Sequence, residues 1–396
     1  MLFFIIDLQE NRHMYRKLFS LLFTAIVLSS CSSSQKTVTA ADNNGIRKLK
    51  FLDEYVIKRN LVFDSTIVGG LSGIDYDAKH DRYFIISDER SYSTPARFYT
   101  ASISIRKNKI GKVQFQSVHT LKQPGGAVFP SFSENAQRTP DPESIRYNPY
   151  SNQLVWTSEG DREVRRGKMI YQDPYVYQMD TEGNFKDSFF IPANLHMYKE
   201  EKGARENGVF EGSTYAEDYK YLYVSMEQPL FEDGPVPTFN YSGAPVRFTK
   251  YDAVTKKPLA QYAYQLDAVA KKPVPATAFS INGVSEILYA GNNQFLVIER
   301  SFSTGTFKNT IKIYLADFSA ATDVSDISGL HLNKTYRPAL KKLLLNMDDI
   351  DRFVDNVEGI TFGPLLANGH RSLVLIVDNN FSKYEKSQVF LLEIIP

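Results

Sequence analysis

Acidic residues recur at matching places in five short, similar phrases, and they are the residues of this chain best suited to chemistry. One acid stands early in each phrase, except that the first copy has serine there, and a second acid ends the apolar run that follows. The phrases span 70–77, 141–147, 209–215, 284–289 and 356–362, and the pairs are Ser72 with Asp88, Glu143 with Glu159, Glu211 with Glu227, Glu286 with Glu299, and Glu358 with Asp378. A phrase that returns about every seventy residues predicts a repeat architecture.

Nine carboxylates at one place would suit a hard divalent cation. Like charges raise one another's pKa and buried charge is costly, so positive charge must accompany the acids. Ca²⁺ takes about six to eight oxygen ligands from carboxylates, carbonyls and water, which makes it the expected ion, with Mg²⁺ or Mn²⁺ as alternatives. The expected ligands are Glu143, Glu211, Glu227, Glu286, Glu299, Glu358 and Asp378.

Two further acids and two arginines would complete a hydrolytic site. Glu159 or Asp88, if free of metal, could act as a general base on a water molecule. Arg90 and Arg300 closely follow acids and could hold phosphate oxygens or neutralise the acids as salt bridges. A structural alternative stays open, in which acids at repeated turns accept backbone N–H bonds and join one repeat to the next.

Several other functions find no support in the sequence. The chain has no His-Glu-x-x-His, no Gly-x-Ser-x-Gly and no phosphate-binding glycine-rich loop. Its 46 Lys and Arg residues balance 45 Asp and Glu residues, so no overall field favours nucleic acid. A serine nucleophile and a nucleic-acid partner are therefore not expected.

The elements that must position these acids are short strands. Gly, Asn and Asp interrupt short aromatic or β-branched runs, which is the all-β pattern, and the runs number about four per repeat. Four strands per repeat indicate a single β-propeller. The last repeat supplies only three strands, so we expect 49–57 to close the ring as its fourth strand. Five blades are the simplest count.

The length of the repeats allows one alternative blade count. The repeats are longer than the usual blade of about 40–50 residues, and a sixth blade could lie within the long loops at 122–140, 160–174, 228–245 or 318–337. The best candidate for a short helix is Pro338 to Asp351, which overlaps a poorly defined segment near 341–346 that is counted as the fourth strand of the fourth repeat.

Propeller geometry would gather the acids at one rim. The first strand of a blade lines the central channel and the second returns antiparallel beside it, so an acid opening the first lies near an acid closing the second. We therefore expect the five pairs to meet at one mouth of the channel.

The N-terminal segment predicts export and lipidation. A basic stretch at 14–17 precedes an apolar run at 18–28, and Leu28-Ser-Ser-Cys31 follows; this resembles a bacterial lipoprotein signal peptide with its lipobox. The predicted organisation is a signal peptide at 1–31 with lipid on Cys31, a flexible tether at 32–45 and a propeller domain at 46–396. Ser32 and Ser33 lack the aspartate associated with inner-membrane retention, so we expect a cell-envelope protein anchored in the outer membrane.

Five phrases together resemble the phytase-like family described as having "esterase-like activity of phytase". They are Gly70-Leu-Ser-Gly-Ile74, Asn207-Gly-Val-Phe-Glu-Gly212, Glu299-Arg300, Asn356-Val-Glu-Gly-Ile360 and Asp378-Asn-Asn-Phe381. The resemblance covers about residues 45–396 and implies a β-propeller assigned to phosphate-ester hydrolysis. With Arg90 and Arg300, Asn379 and Asn380 of the last phrase are the candidate substrate-binding residues.

Three functions follow as hypotheses. The first is a metal-dependent phosphoester hydrolase acting on a small molecule. The second is a non-catalytic propeller that binds a ligand or partner at the cell envelope. The third is a lactonase-like hydrolase of carboxylic esters. In each case we expect a monomer that contacts the membrane through its lipid.

Overall fold

Each repeat folds into one four-stranded antiparallel sheet in the computed structural model, which describes residues 45–165, 168–306, 308–332 and 335–396. The first blade contains β4 (Leu71–Asp77), β5 (Arg82–Ser87), β6 (Arg97–Arg106) and β7 (Lys109–Thr120). The second contains β8 (Pro142–Asn148), β9 (Gln153–Ser158), β12 (Tyr175–Asp180) and β13 (Phe185–Ser188). The third contains β14 (Phe210–Ala216), β15 (Tyr221–Met226), β16 (Val246–Asp252) and β17 (Pro258–Tyr264).

The last two blades complete the ring. The fourth blade contains β18 (Ser280–Gly291), β19 (Gln294–Ser303), β20 (Thr310–Asp317) and β21 (Leu340–Asn346). The fifth contains β22 (Asn356–Phe362), β23 (Ser372–Asp378), β24 (Gln388–Ile395) and the N-terminal strand β1 (Lys48–Val56). The first strands of the blades contact one another in the order β4, β8, β14, β18, β22 and back to β4, so the five-bladed propeller is closed.

The ring closes as the sequence predicted. Strand β1 pairs antiparallel with β24, from Lys48 opposite Ile395 to Val56 opposite Gln388. The last blade therefore joins the N-terminal end of the domain to its C-terminal end, and this pairing leaves no gap between the first and last repeats.

The long connections hold no sixth blade within the described residues. They contain two small hairpins, β2 (Val62–Phe63) with β3 (Thr66–Ile67) and β10 (Asp161–Arg165) with β11 (Lys168–Gln172). Their helical parts are α1 (Phe132–Asn135) and the 3₁₀ turns Ala193–Leu195, Phe231–Asp233 and Met347–Asp349.

The predicted helix at 338–351 is wrong. This segment forms strand β21, which pairs with β20 from Leu340 opposite Asp317 to Asn346 opposite Lys312, and a single 3₁₀ turn follows it. Leu and Lys are good helix formers, but an available sheet edge supplies this segment with backbone partners and overrides that weak preference.

The hydrophobic core lies between neighbouring blades. Trp156 of β9 is 1% exposed and packs edge to face on Tyr175 and Tyr177 of its own blade, in a cluster that also includes Phe84 and Phe98 of the first blade. Other clusters join the second, third and fourth blades, the fourth and fifth, and the fifth and first. Aromatic contacts of this kind stabilise the interfaces beyond the apolar area they bury.

The predicted leader, Cys31 and almost all of the tether lie outside the described residues. Within the part that the structure describes, no helix is long and apolar enough to cross a membrane.

Candidate functional site

A β-bulge marks the same position in the first strand of every blade. In each blade the pairing register between the first and second strands shifts by one residue; the shift is near the start of the first strand in four blades and within the longer strand β18 in the fourth. The residues at these shifts are Ser72, Glu143, Glu211, Ser285 and Glu358. A bulge re-aims a side chain and is frequent beside active sites, so the fold presents these five side chains in an equivalent way.

A second residue per blade lies beside each bulge. In the second blade, Pro142 stands just before the bulge and pairs with Ser158 of the second strand. The next residue, Glu159, is the second residue of this blade, and the other blades follow the same rule. These second residues are Asp88, Glu159, Glu227, Arg300 and Asp378. We call the ten residues the mouth ring; it holds seven carboxylates, two serines and one arginine.

The fourth blade corrects the alignment made from the sequence. Val284 pairs with Glu299, so Ser285 and Arg300 occupy the ring positions, not Glu286 and Glu299. A shift of one residue turns a strand side chain to the other face. The two acids accordingly have other partners, and the structure does not bring them to the remaining mouth acids.

Both of these acids are held in ion pairs. Glu286 accepts from Arg146 Nη2 at 2.7 Å and from the backbone N–H of Ser213 at 2.9 Å. Glu299 pairs with Lys341 and accepts from the Tyr264 hydroxyl at 2.8 Å. Their contacts join blades and strands, as the structural alternative expected for some of the acids.

Asp88, Glu358 and Asp378 form the first carboxylate group, at the junction of the fifth and first blades. One oxygen from each lies within 4.8 Å of the others. Glu358 Oε2 and Asp378 Oδ1 are buried and have no hydrogen-bond partner among the described residues. Buried polar oxygens normally have a partner, so these two oxygens are available to a ligand or a proton.

A glycine makes room for this group. Gly70 has a φ of +61°, and a Cβ placed on it would lie 2.1 Å from Asp88 Oδ1. Only glycine allows both this backbone conformation and the close approach of the carboxylate. The phrase that begins at Gly70 therefore positions Asp88.

Asp141, Glu143 and Glu159 form the second carboxylate group, at the mouth of the second blade. One oxygen from each again lies within 4.8 Å of the others. The Ser72 hydroxyl donates to Glu143 at 2.6 Å, and the backbone N–H of Val209 donates to Glu159 at 2.7 Å. Sequence reasoning missed Asp141; its place two residues before Glu143 was the available signal.

Arg300 supplies a fixed positive charge between these acids. Its guanidinium donates to Glu227 at 2.9 Å and to Glu358 at 2.7 Å, and it also contacts Asn356 Oδ1 at 2.6 Å. Arg300 is thus the ring residue that compensates negative charge at the mouth of the third to fifth blades. The predicted ligands Glu211 and Glu227 belong to neither carboxylate group.

Arg90 supplies a second positive charge at the other side. It donates to Asp161 at 2.6 Å and approaches Asp141 at 3.5 Å. Its Nε is buried without a hydrogen-bond partner among the described residues. Arg90 therefore borders the second carboxylate group, with its Nε nearest to Asp141.

The predicted substrate contacts Asn379 and Asn380 lie in the loop after β23. Asn379 Oδ1 accepts from the backbone N–H groups of Gly70 and Phe381, both at 3.2 Å. Asn380 donates its side-chain N–H to Glu385 at 2.7 Å, and its backbone N–H donates to Asp378 at 2.8 Å. Both residues help to shape the loop beside the first carboxylate group.

Burial and mutual repulsion raise the pKa of the mouth acids. Desolvation, with repulsion from Asp378 and Glu358, raises the pKa of Asp88 well above its usual value. Burial is also the main cause that raises the pKa of Glu159 to about 8 and that of Asp141 to about 6. The same cause raises the pKa values of Glu143, Glu211, Glu227, Glu358 and Asp378. A bound cation would offset this cost.

Arg146 spans the axis of the propeller below the mouth ring and is 2% exposed. Its guanidinium donates to one backbone oxygen in the first strand of each of the four remaining blades, at 2.6–3.0 Å. The four acceptors belong to Ile74, Ser213, Ile287 and Ile360. It also forms the ion pair with Glu286. Sequence reasoning did not identify this residue.

Comparison with known proteins gives one family and several distant structures. Residues 66–381 match the phytase-like family described as "Esterase-like activity of phytase". No curated protein matches the chain. Among solved structures, an endo-arabinase from Bacteroides thetaiotaomicron VPI-5482 is 10% identical, with 86% of this chain and 98% of that chain covered and a TM-score of 0.43.

Two further structures are similarly distant. The periplasmic gluconolactonase PpgL of Pseudomonas aeruginosa is 10% identical, with 84% of this chain and 90% of that chain covered and a TM-score of 0.36. A thermostable family-43 glycoside hydrolase is 9% identical, with 85% and 91% covered and a TM-score of 0.45. The family match extends over most of the propeller, and the chain therefore belongs to the phytase-like family.

Proposed function

We propose that this protein is a divalent-cation-dependent hydrolase that acts on phosphoesters at the mouth of its propeller. The observation that carries the proposal is the first carboxylate group, in which buried oxygens of Glu358 and Asp378 have no partner among the described residues. The family's description, which refers to esterase-like activity and to phytase, supports ester hydrolysis as the reaction class.

The two carboxylate groups have the chemistry of hard-cation sites. Each offers three carboxylates within 4.8 Å, and Ca²⁺ accepts such oxygen ligands in flexible geometry together with water. We assign one ion to each group, with Ca²⁺ favoured and Mg²⁺ or Mn²⁺ as alternatives. A bound ion would polarise a phosphoryl oxygen and lower the pKa of a bound water.

The protein's own residues would bind and orient the ester. Arg90 makes no hydrogen bond through its Nε, which lies 3.5 Å from Asp141, and its guanidinium could donate to a phosphoryl oxygen, since charge-assisted bonds of this type are strong. Arg300 would hold Glu227 and Glu358 in place and add positive potential. Asn379 and Asn380 would contact the substrate from the adjacent loop.

The proton of the attacking water needs an acceptor. Glu159 and Asp88 are the proposed general bases, each through a carboxylate oxygen that does not contact the ion. In Glu159, the Val209 N–H holds one oxygen at 2.7 Å, which fixes the orientation of the carboxylate.

The proposed location is the cell envelope. The lipobox-like sequence that ends at Cys31 supports a lipid anchor in the outer membrane, and the enzyme would act there as a single chain on a small ester.

Hydrolysis assays test the proposed activity. Purified protein should hydrolyse p-nitrophenyl phosphate or bis-p-nitrophenyl phosphate with Ca²⁺, and EDTA should abolish the activity. Glu358→Gln should reduce kcat/KM at least a hundredfold, because it removes one charge from an ion ligand. Glu217→Gln is the matched control, since Glu217 directly follows strand β14 at its end far from the mouth.

The outcomes separate three functions. Phosphoester turnover that persists in EDTA and in Glu358→Gln would sink the proposal. Turnover of p-nitrophenyl acetate or of lactones alone would favour the carboxylic-ester hydrolase. No turnover on any ester, combined with thermal stabilisation by Ca²⁺, would favour a binding propeller.

A further inference from the structure

A hollow of about 410 Å³ lies between two connections of the first and second blades. One wall is the loop after β5 at 91–95, and the other is the segment before β8 at 128–134. Both connections belong to the mouth end of their blades, since β5 ends there and β8 begins there. The volume falls within the range of about 300–1,000 Å³ that is usual for small-molecule pockets.

Both walls of the hollow are held by buried or capped polar groups. Glu89, 7% exposed, accepts from the backbone N–H groups of Ser93 at 2.5 Å and Thr94 at 3.1 Å and from the Thr94 hydroxyl at 2.7 Å. On the other wall, Ser131 and Glu134 form a reciprocal capping box at the start of α1. Walls fixed in this way are preorganised for a ligand, which lowers the entropy cost of binding.

An exposed aromatic ring forms the edge of the hollow. Tyr92 is 64% exposed, and its ring packs on Phe132 with 4.8 Å between centroids. The guanidinium of Arg90 lies over the ring of Phe132, 5.0 Å from its centroid. A large aromatic side chain that is fixed on one side and open on the other is suited to stacking against a ring.

Arg90 connects this aromatic edge to the acids. It contacts Phe132 on one side and approaches Asp141, a member of the second carboxylate group, at 3.5 Å. A molecule whose phosphoryl group lies at the acids could therefore extend past Arg90 onto Tyr92.

The lining of the hollow disfavours a ligand that carries negative charge on the part bound there. The described residues that line the hollow include no lysine or arginine, whereas they include the carboxylate of Glu134. The remaining lining combines Tyr92 and apolar residues such as Val128 and Pro130 with hydroxyl groups such as Ser93. Apolar and aromatic faces mixed with hydroxyls and a carboxylate suit a neutral ring that has polarised C–H groups and hydroxyls.

We propose that this hollow binds the neutral sugar ring of a sugar phosphoester, with Tyr92 as its stacking residue. The position of the sugar relative to the reacting phosphoryl group rests on the proposed function, but the binding of the ring does not. The negative face of the tyrosine ring would attract the C–H groups of the sugar. At the edge of the sugar, Glu134 would accept hydrogen bonds from its hydroxyls, and the Ser93 hydroxyl could donate or accept.

Saturation-transfer NMR with methyl β-D-glucopyranoside tests the proposal. The full-length protein is used in EDTA, so that neither metal nor turnover contributes. We expect saturation transfer to the sugar in the wild type, its loss by at least fivefold in Tyr92→Ala and its retention in Tyr92→Phe. Tyr150→Ala is the matched control, because Tyr150 is 72% exposed and lies in the turn after β8, far from the mouth.

The possible results are decisive. No transfer to the sugar in the wild type, equal transfer in wild type and Tyr92→Ala, or complete displacement of the sugar by benzyl alcohol would each overturn the assignment to a sugar ring. Circular dichroism of each variant distinguishes a lost site from a lost fold. Because no ester is hydrolysed in this assay, its failure is separate from a failure of the proposed activity.

Discussion

Replacing Arg300 with methionine should make the stability of the protein depend on calcium more strongly. Methionine keeps the unbranched apolar stem of the side chain but removes the guanidinium that bridges Glu227 and Glu358, whose side chains are 3% and 7% exposed. Removing one partner of a buried ion pair costs about 3–5 kcal/mol, because the other charge is left without compensation.

The size of the thermal effect follows from the size of the domain. Unfolding entropy of about 2.1 cal/mol/K per residue gives about 0.7 kcal/mol/K for the roughly 350 residues of the propeller. In EDTA we therefore expect Arg300→Met to lower Tm by about 4–7 °C. The freed carboxylates should then accept an additional ion, and Ca²⁺ at about 100 times its Kd would restore about 2.7 kcal/mol, or about 4 °C.

Differential scanning calorimetry with EDTA and with Ca²⁺ measures both effects. Arg352→Met is the control, since Arg352 forms an exposed pair with Glu54 at 3.5 Å and such pairs contribute about 0–1 kcal/mol. The reasoning is refuted if Arg300→Met melts within 1 °C of the wild type in EDTA. It also fails if Ca²⁺ raises Tm by the same amount in both proteins.

Three other predictions test the mouth and the leader. In EDTA, Tm should fall as pH rises from about 5 to 8: burial raises the folded-state pKa of Glu159 to about 8 and that of Asp141 to about 6, so the folded protein holds protons that the unfolded chain releases. Calorimetry with Ca²⁺ should show a smaller fall, and a rise in EDTA would contradict the raised pKa values. Gly70→Ala should cost about 1–3 kcal/mol and weaken Ca²⁺ binding at least tenfold by calorimetric titration, because its Cβ would overlap Asp88; unchanged affinity would exclude this positioning role. Cys31→Ser should move the protein from the membrane to the soluble fraction, and an unchanged distribution would argue against a lipid anchor.

The repeated phrases predicted the fold because they mark structurally equivalent places. Each phrase contains the bulge of a first strand, so the spacing between copies reports the blades. The closing strand was predictable because the last repeat lacked one strand. The segment Leu340–Asn346 was harder, since its Leu and Lys residues favour a helix and only the edge of β20 makes it a strand.

The candidate site was predictable in the blades where the alignment of the repeated phrases matched the strand pairing of the structure. In the fourth blade, Glu286 and Glu299 looked like members of the ring, but the bulge at Ser285 places them one position away. Sequence alone does not show which residue a bulge leaves unpaired. Arg146 was missed for a related reason: its backbone partners lie on the other four blades, 67 to 214 positions away in the chain. Asp141 groups with Glu143 and Glu159 of its own blade, and the sequence does not show that their side chains meet.

Arg146 has a consequence for how the chain reaches its native ring. Its four backbone acceptors come from the other four blades, and the most distant, Ile360, is 214 residues away in sequence. These bonds can exist together only when the first strands of all five blades are in place, and a ring of four or six blades would not offer the same set of oxygens. Because a buried guanidinium without its acceptors is costly, this one side chain favours a ring of five blades over other blade numbers.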